Sequence, residues 1–210
     1  MLENIEVLYH SSIRINKNKV IYIDPFKIDK NYNDADIIFI THNHYDHYSE
    51  EDIEKVINKN TTIVIPEEML IKLLKKGIDK NSIIAVEPNK EYMVQGIRFE
   101  TIPAYNKNKP YHPKSKEWVG YIIDIDEHRY YIAGDTDKTK EACAVKCDVA
   151  FLPVGGTYTM DYVEAAALAS KIEPKYVIPT HYGSIVGEPE DGILFKELID
   201  TSNTKCEIYY

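Results

Sequence analysis

The run Ile37 to Ile40 is uniformly apolar and passes directly into Thr41-His42-Asn43-His44-Tyr45-Asp46-His47. Four groups that can ligate a metal fall within six residues, immediately after what reads as a buried strand. A tight loop at a strand end lets His42 and His44 point to one side while Asp46 and His47 face another point. One motif can then serve two adjacent divalent ions. Imidazole and carboxylate donors without thiolate suit zinc first, with manganese, iron or nickel as alternatives. Two ions need more donors than this motif holds, so the fold has to bring other strand ends to the same place.

Short Ile-, Val- and Tyr-rich runs mark candidate strands at Ile5–Tyr9, Ser12–Ile15, Val20–Ile23, Ile37–Ile40, Thr61–Ile65, Ile83–Val86, Tyr92–Val94 and Ile97–Ile102. Further strands are expected at Val119–Ile125 and Arg129–Ile132, joined by an Asp126-Glu127 hairpin turn, and at Val149–Leu152, Tyr176–Ile178 and Cys206–Tyr209. Ser49 before Glu50, Glu51 and Asp52, with Ile53, Val56 and Ile57 at helical spacing, predicts a capped helix. Pro66 opens another, which runs through Leu74 and stops at Gly77. Helices are also expected at Thr139–Val145, Tyr162–Ile172 and Gly192–Leu198. Between Pro103 and Lys116 the pattern lapses into a long loop rich in proline and lysine, a natural carrier of function. Strands first, then strands alternating with helices, fit two packed sheets with helices outside, as one α/β domain over residues 1–210.

Composition narrows the partners. A 44% hydrophobic content is enough to close a core and excludes a disordered chain. With 34 acidic against 25 basic residues the net charge is −9, which opposes broad nucleic-acid binding. No apolar run approaches the roughly 18 residues that span a bilayer, and Glu3 and Glu6 are foreign to a signal peptide. A cytoplasmic protein with no membrane partner and a small-molecule substrate is expected; homo-oligomer formation is left open. Cys143, Cys147 and Cys206 lack CxxC spacing and are read as reduced thiols without a special role.

Two later strand ends offer further donors. Arg129–Ala133 stops at Gly134-Asp135-Thr136, where Asp135 could bridge two ions, and the strand from Tyr176 ends in Thr180-His181. Either alone would be an ordinary turn; beside the HxHxDH run both become candidate ligands.

HxHxDH after a strand, then Gly-Asp, then Thr-His, each at a strand end, resembles the metallo-β-lactamase superfamily over nearly the whole chain. Tyr9-His10-Ser11-Ser12, Ile23-Asp24-Pro25, Gly155-Gly156-Thr157-Tyr158-Thr159-Met160 and Pro179-Thr180-His181-Tyr182-Gly183 are similar to the branch that contains L-ascorbate-6-phosphate lactonase. The resemblance implies an αββα four-layer sandwich with the metal site at one edge of the two sheets. It also implies a metal-dependent hydrolase in which a metal-bound hydroxide attacks a small, anionic ester, lactone or phosphoester, with Asp46 both a ligand and the residue that orients the water or accepts its proton. Alternatives are a phosphodiesterase or ribonuclease of the same fold, or a non-catalytic metal- or ligand-binding protein.

One departure stands out. The family places a histidine after Pro-Ala-x, where this chain has Pro103-Ala104-Tyr105-Asn106, and an amide oxygen is a weak ligand beside imidazole. His112, six residues on in the same loop, is the expected substitute; a substrate-contacting histidine is the competing role. The expected metal set is therefore His42, His44, Asp46, His47, His112, Asp135 and His181. His10 is either near the metal pocket or a core histidine, His128 is a solvated turn residue, and Asp24 either holds a ligand histidine in its tautomer or only shapes its turn. Lys107, Lys109, Lys114 and Lys116 would attract an anionic substrate or are merely solvated, and Tyr105, Tyr111, Trp118 and Tyr158 are candidate pocket walls.

Overall fold

The structure, a computed structural model, describes residues 1–199 and 203–209. Strands β1 (Ile5–Tyr9), β2 (Ser12–Asn16) and β3 (Val20–Ile23) form an antiparallel meander. Strands β4 (Ile37–Phe39), β5 (Thr62–Pro66) and β6 (Ile83–Val86) extend it in parallel, in the order β1-β2-β3-β4-β5-β6. The second sheet begins with antiparallel β7 (Glu91–Val94), β8 (Ile97–Pro103), β9 (Val119–Ile125) and β10 (His128–Ile132). It continues in parallel through β11 (Val149–Pro153), β12 (Tyr176–Thr180) and β13 (Lys205–Cys206).

Residue alternation along the strands builds the layers. Ile37 and Phe39 of β4 join Val64, Phe99, Tyr121, Val149 and Phe151 in a core between the sheets, while Ile38 and Ile63 face the opposite way. On that outer face they meet Ile53 and Val56 of α1 (Glu50–Val56) and Leu73 of α2 (Leu70–Lys75). The second sheet repeats the pattern: Ala150 and Leu152 turn out against Ala165, Leu168 and Ala169 of α3 (Tyr162–Ile172) and Phe195 of α4 (Glu190–Ile199). Two sheets between two layers of helices give the expected αββα sandwich, held by period-two burial on both faces. Among the described residues no helix is long and apolar enough to cross a membrane.

Local differences have local causes. The helix expected at Thr139–Val145 is a single tight turn at Ala142–Ala144, because Val145 is already extended (ψ 142°) to lead the chain into β11. Pro66 closes β5, paired with Val86, so a 3₁₀ turn at Glu67–Met69 precedes α2. The last ladder is Lys205–Cys206 and not Cys206–Tyr209. His128 begins β10 opposite Ile125; the hairpin turn is Asp126-Glu127, at φ 50° and 64°. All three cysteines are free thiols.

Ser49 caps α1 by accepting from the Asp52 amide, and the buried Asp52 carboxylate in turn accepts from the Lys27 and Ile28 amides, both at 3.0 Å. Asp52 thereby ties α1 to the segment after β3. Burial opposes its charge, but Ser49, Lys55 and those amides hold its pKa below the usual carboxylate value. A depressed folded-state pKa contributes stability above the unfolded value, lost as pH falls through the folded one. Asp52→Ala is therefore expected to cost about 1–3 kcal/mol in urea unfolding at pH 7, and the gap to wild type should close as pH falls below about 4.

Candidate metal centre

The carboxyl ends of β1, β3, β4, β8, β10 and β12 converge on one edge of the sandwich, the place where open α/β sheets present their ligands. His10 (φ 54°), Asp24 (φ 46°) and His181 (φ 58°) turn sharply out of their strands in the left-handed region, which non-glycine residues seldom enter. Two glycines allow the close approach. A Cβ on Gly134 would stand 3.2 Å from that of Thr41, and one on Gly155 would lie 2.2 Å from the His181 carbonyl oxygen.

All the expected site residues meet here. His42, His44, His112 and Asp135 each offer one donor atom to a group whose members lie within 4.8 Å of one another; His47, Asp135 and His181 form a second such group, and His10, Asp46 and His181 a third. Asp135 joins the first two. Its Oδ2 lies 3.3 Å from His112 Nε2 and 3.1 Å from His181 Nε2, and its Oδ1 3.2 Å from His47 Nε2. Asp46 Oδ2 stands 3.6 Å from both His47 Nε2 and His181 Nε2, and 3.4 Å from His10 Nε2. His10 thus lies beside the cluster, buried: its other nitrogen is 3.0 Å from Ser184 Oγ.

The donor set fits divalent ions. His47 Nε2, His112 Nε2, His181 Nε2 and Asp135 Oδ1 are buried with no hydrogen-bond partner in the protein, a costly arrangement for atoms that would otherwise bond water. Burial opposes charge on His47 and His181, yet Asp135 beside both, together with Asp24 at His47, raises their proton affinity. The field that favours a proton at these nitrogens favours a cation in its place. Burial and the neighbouring His47 hold His42 well below the usual imidazole value, neutral with a lone pair to give. Burial would push Asp135 up, but His181 and His47 hold it well below the carboxylate range, so it stays anionic.

Asp24 acts on a ring, not only on its turn. Its Oδ2 lies 2.7 Å from His47 Nδ1, and it accepts from the Thr41 amide at 2.8 Å and the Thr41 hydroxyl at 2.6 Å. With Nδ1 donating to Asp24, Nε2 is the nitrogen turned toward Asp135 and Asp46.

Over the site opens a cavity of about 300 Å³ lined by His44, Asp46, Asp135, His112, His181 and the side chains Tyr45, Tyr111, Tyr158 and Ile185. Tyr111 and Tyr158 meet edge to face at 4.6 Å. Trp118 lies behind the histidines, its ring 4.9 Å from His42 and 4.8 Å from His44, and Tyr105 turns away to bond Glu141. Tyr45 and Ile185 were not foreseen, although Tyr45 sits inside the motif and Ile185 follows His181 closely. None of the loop lysines lines the cavity. Lys109 pairs with Asp137 and Lys114 with Glu141, both at 2.7 Å; Lys107 and Lys116 lie 3.4 Å from Glu164 and Glu68.

A family model described as beta-lactamase superfamily domain matches residues 4–181, and the chain belongs to that family. A UPF0173 metal-dependent hydrolase of Thermoplasma acidophilum is 28% identical over 97% of this chain and 94% of its own. One from Caldivirga maquilingensis is 30% identical over 91% and 86%. Among solved structures, a candidate metal-dependent hydrolase from Parabacteroides distasonis superposes with a TM-score of 0.81 at 32% identity, covering 97% of this chain and 91% of its own. A metallo hydrolase from Ignicoccus hospitalis shares the fold at 23% identity and a TM-score of 0.79, over 97% and 93%.

Asp24→Ala frees the His47 ring to rotate. Zinc affinity at the weakened site, measured by competition with a chromophoric chelator, is expected to fall by roughly 10–100-fold.

Proposed function

We propose that this protein is a metal-dependent hydrolase acting on a small ester, lactone or phosphoester, with one ion held by His42, His44, His112 and Asp135 and a second by Asp46, His47, Asp135 and His181. The observation that carries this reading is the convergence of those donors, unpartnered nitrogens inward, beneath an open cavity. Bound divalent ions supply a coordinated water acidified toward neutrality and a Lewis acid for the scissile carbonyl or phosphoryl oxygen. Asp46, whose carboxylate reaches the cavity, would orient that water; burial opposes its charge, but the neighbouring His10, His181 and His47 hold its pKa far below the ordinary value, so it stays an anion that accepts a hydrogen bond and is a weak base. Tyr45, Tyr111, Tyr158 and Ile185 hold the rest of the substrate and exclude water from it.

An anionic group on the substrate would be met by the ions, since the loop lysines are engaged by carboxylates. The motifs similar to the ascorbate-6-phosphate lactonase branch support a lactone among the candidates. Zinc is the leading ion for this donor set. Net charge of −9 and the paired lysines argue against a polyanionic nucleic-acid substrate.

Elemental analysis of protein prepared without chelators is expected to return about two transition-metal ions per chain for this donor set. Hydrolysis of generic lactone and phosphodiester substrates should vanish with a chelator and return with zinc. Absence of any bound transition metal would sink the assignment. His112→Ala should leave about one ion, and unchanged metal content in that variant would show that His112 is not a ligand.

A further inference from the structure

The loop after β8 folds back on itself through Asn106. Its amide N–H donates to the His112 carbonyl at 2.8 Å, and its side-chain Oδ1 lies 3.2 Å from the His112 amide and 3.1 Å from His112 Nδ1. The other end of the amide is fixed just as firmly. Nδ2 donates to Asp137 Oδ1 at 3.1 Å and to the Tyr158 carbonyl at 2.9 Å. Both of those partners only accept, so the Asn106 side chain cannot be turned around: the oxygen has to face His112. A carbonyl oxygen accepts and never donates, which requires the proton of the His112 ring to sit on Nδ1. In the neutral ring the lone pair is then on Nε2, the nitrogen 3.3 Å from Asp135 Oδ2 and without a hydrogen-bond partner.

Asp137 anchors the arrangement. It is buried, accepts also from the Lys107 amide at 2.8 Å and from Lys109 Nζ at 2.7 Å, and follows Asp135 by two residues on the loop after β10. The segment that delivers Asp135 to the site therefore also sets the amide that sets the ring of His112.

We infer that Asn106, held by Asp137, is a positioning residue that fixes the Nδ1–H tautomer and ring orientation of His112 for the first ion, which rests on the reading of His112 as a ligand. The residue that cannot itself serve as a strong ligand prepares the one that does.

Two measurements test this. Long-range ¹H–¹⁵N spectra of the histidine rings in metal-free protein should show His112 as the Nδ1–H tautomer. An Nε2–H tautomer in the wild type overturns the inference without any variant. Zinc titration, with metal content checked by mass spectrometry, should give two ions for the wild type. For Asn106→Ala the first ion is expected to bind roughly 10–100-fold more weakly, with the second unchanged and the Nδ1–H preference of His112 lost. If the wild type binds two ions and Asn106→Ala holds both with unaltered affinity and tautomer, the positioning role is wrong and the two-ion site stands. If the wild type binds one ion, the two-ion reading falls, and the positioning role falls with it unless Asn106→Ala weakens that ion; if it binds none, both fall.

Discussion

Two carboxylates withdrawn from water at one edge of the sandwich, Asp135 and Asp46, set the terms for everything around them. Burying an ionised carboxylate costs several kcal/mol unless opposite charge or hydrogen-bond donors meet it. Asp135 is surrounded by His42, His47, His112 and His181, each within 3.8 Å of its oxygens. Those rings are buried too, so proximity alone leaves nitrogens unpartnered. A cation answers both needs together, completing the carboxylates and the imidazoles in one step. That is why the cluster reads as a built site and not as a polar core.

Holding such a site requires a rigid frame. The clustered histidines leave the ends of strands whose preceding residues are fully buried on both faces, as with Ile37, Ile38 and Phe39 before His42 and Val177 and Ile178 before His181. The left-handed turns at His10, Asp24 and His181 are tolerated because the sheets determine where the chain must go next. The His181 amide bonds the His10 carbonyl at 3.1 Å, so the ends of β1 and β12 are locked across the two sheets at the site itself. Orienting partners such as Asp24 and Asn106 then act on rings whose backbones are already fixed.

Much of this was legible in the chain. Ile-, Val- and Tyr-rich runs separated strands from helices, and HxHxDH after a strand, with Gly134-Asp135 and Thr180-His181, marked residues that the fold brings together because each lies at a strand end. What escaped depends on contacts between distant residues. The lysines of the loop read as a basic patch until Glu68, Asp137, Glu141 and Glu164 are brought to them from elsewhere in the chain. The clasp of Asn106 by Asp137 and the Tyr158 carbonyl spans two other loops and has no local signature. At Thr139–Val145 helix-compatible residues lost to the need to enter β11. His112 Nε2 lies 3.3 Å from Asp135 Oδ2 although the residue stands six positions after Asn106, so a register-bound motif read only at Asn106 would pass over it.

Because His112, Asp135 and His181 come from segments far along the chain from the run His42 to His47, the unfolded chain cannot present the whole set together. Metal held by the full set binds the folded state more tightly than the local His42 to His47 run could in the unfolded chain, and stabilises it by mass action, by at most about 2.7 kcal/mol for each site at a free concentration a hundred times its Kd. On the scale of the 5–15 kcal/mol typical of a domain, that is a large share. The lifetime of this protein in a cell would then be governed in part by metal supply: scarcity would remove copies through proteolysis as well as silence them.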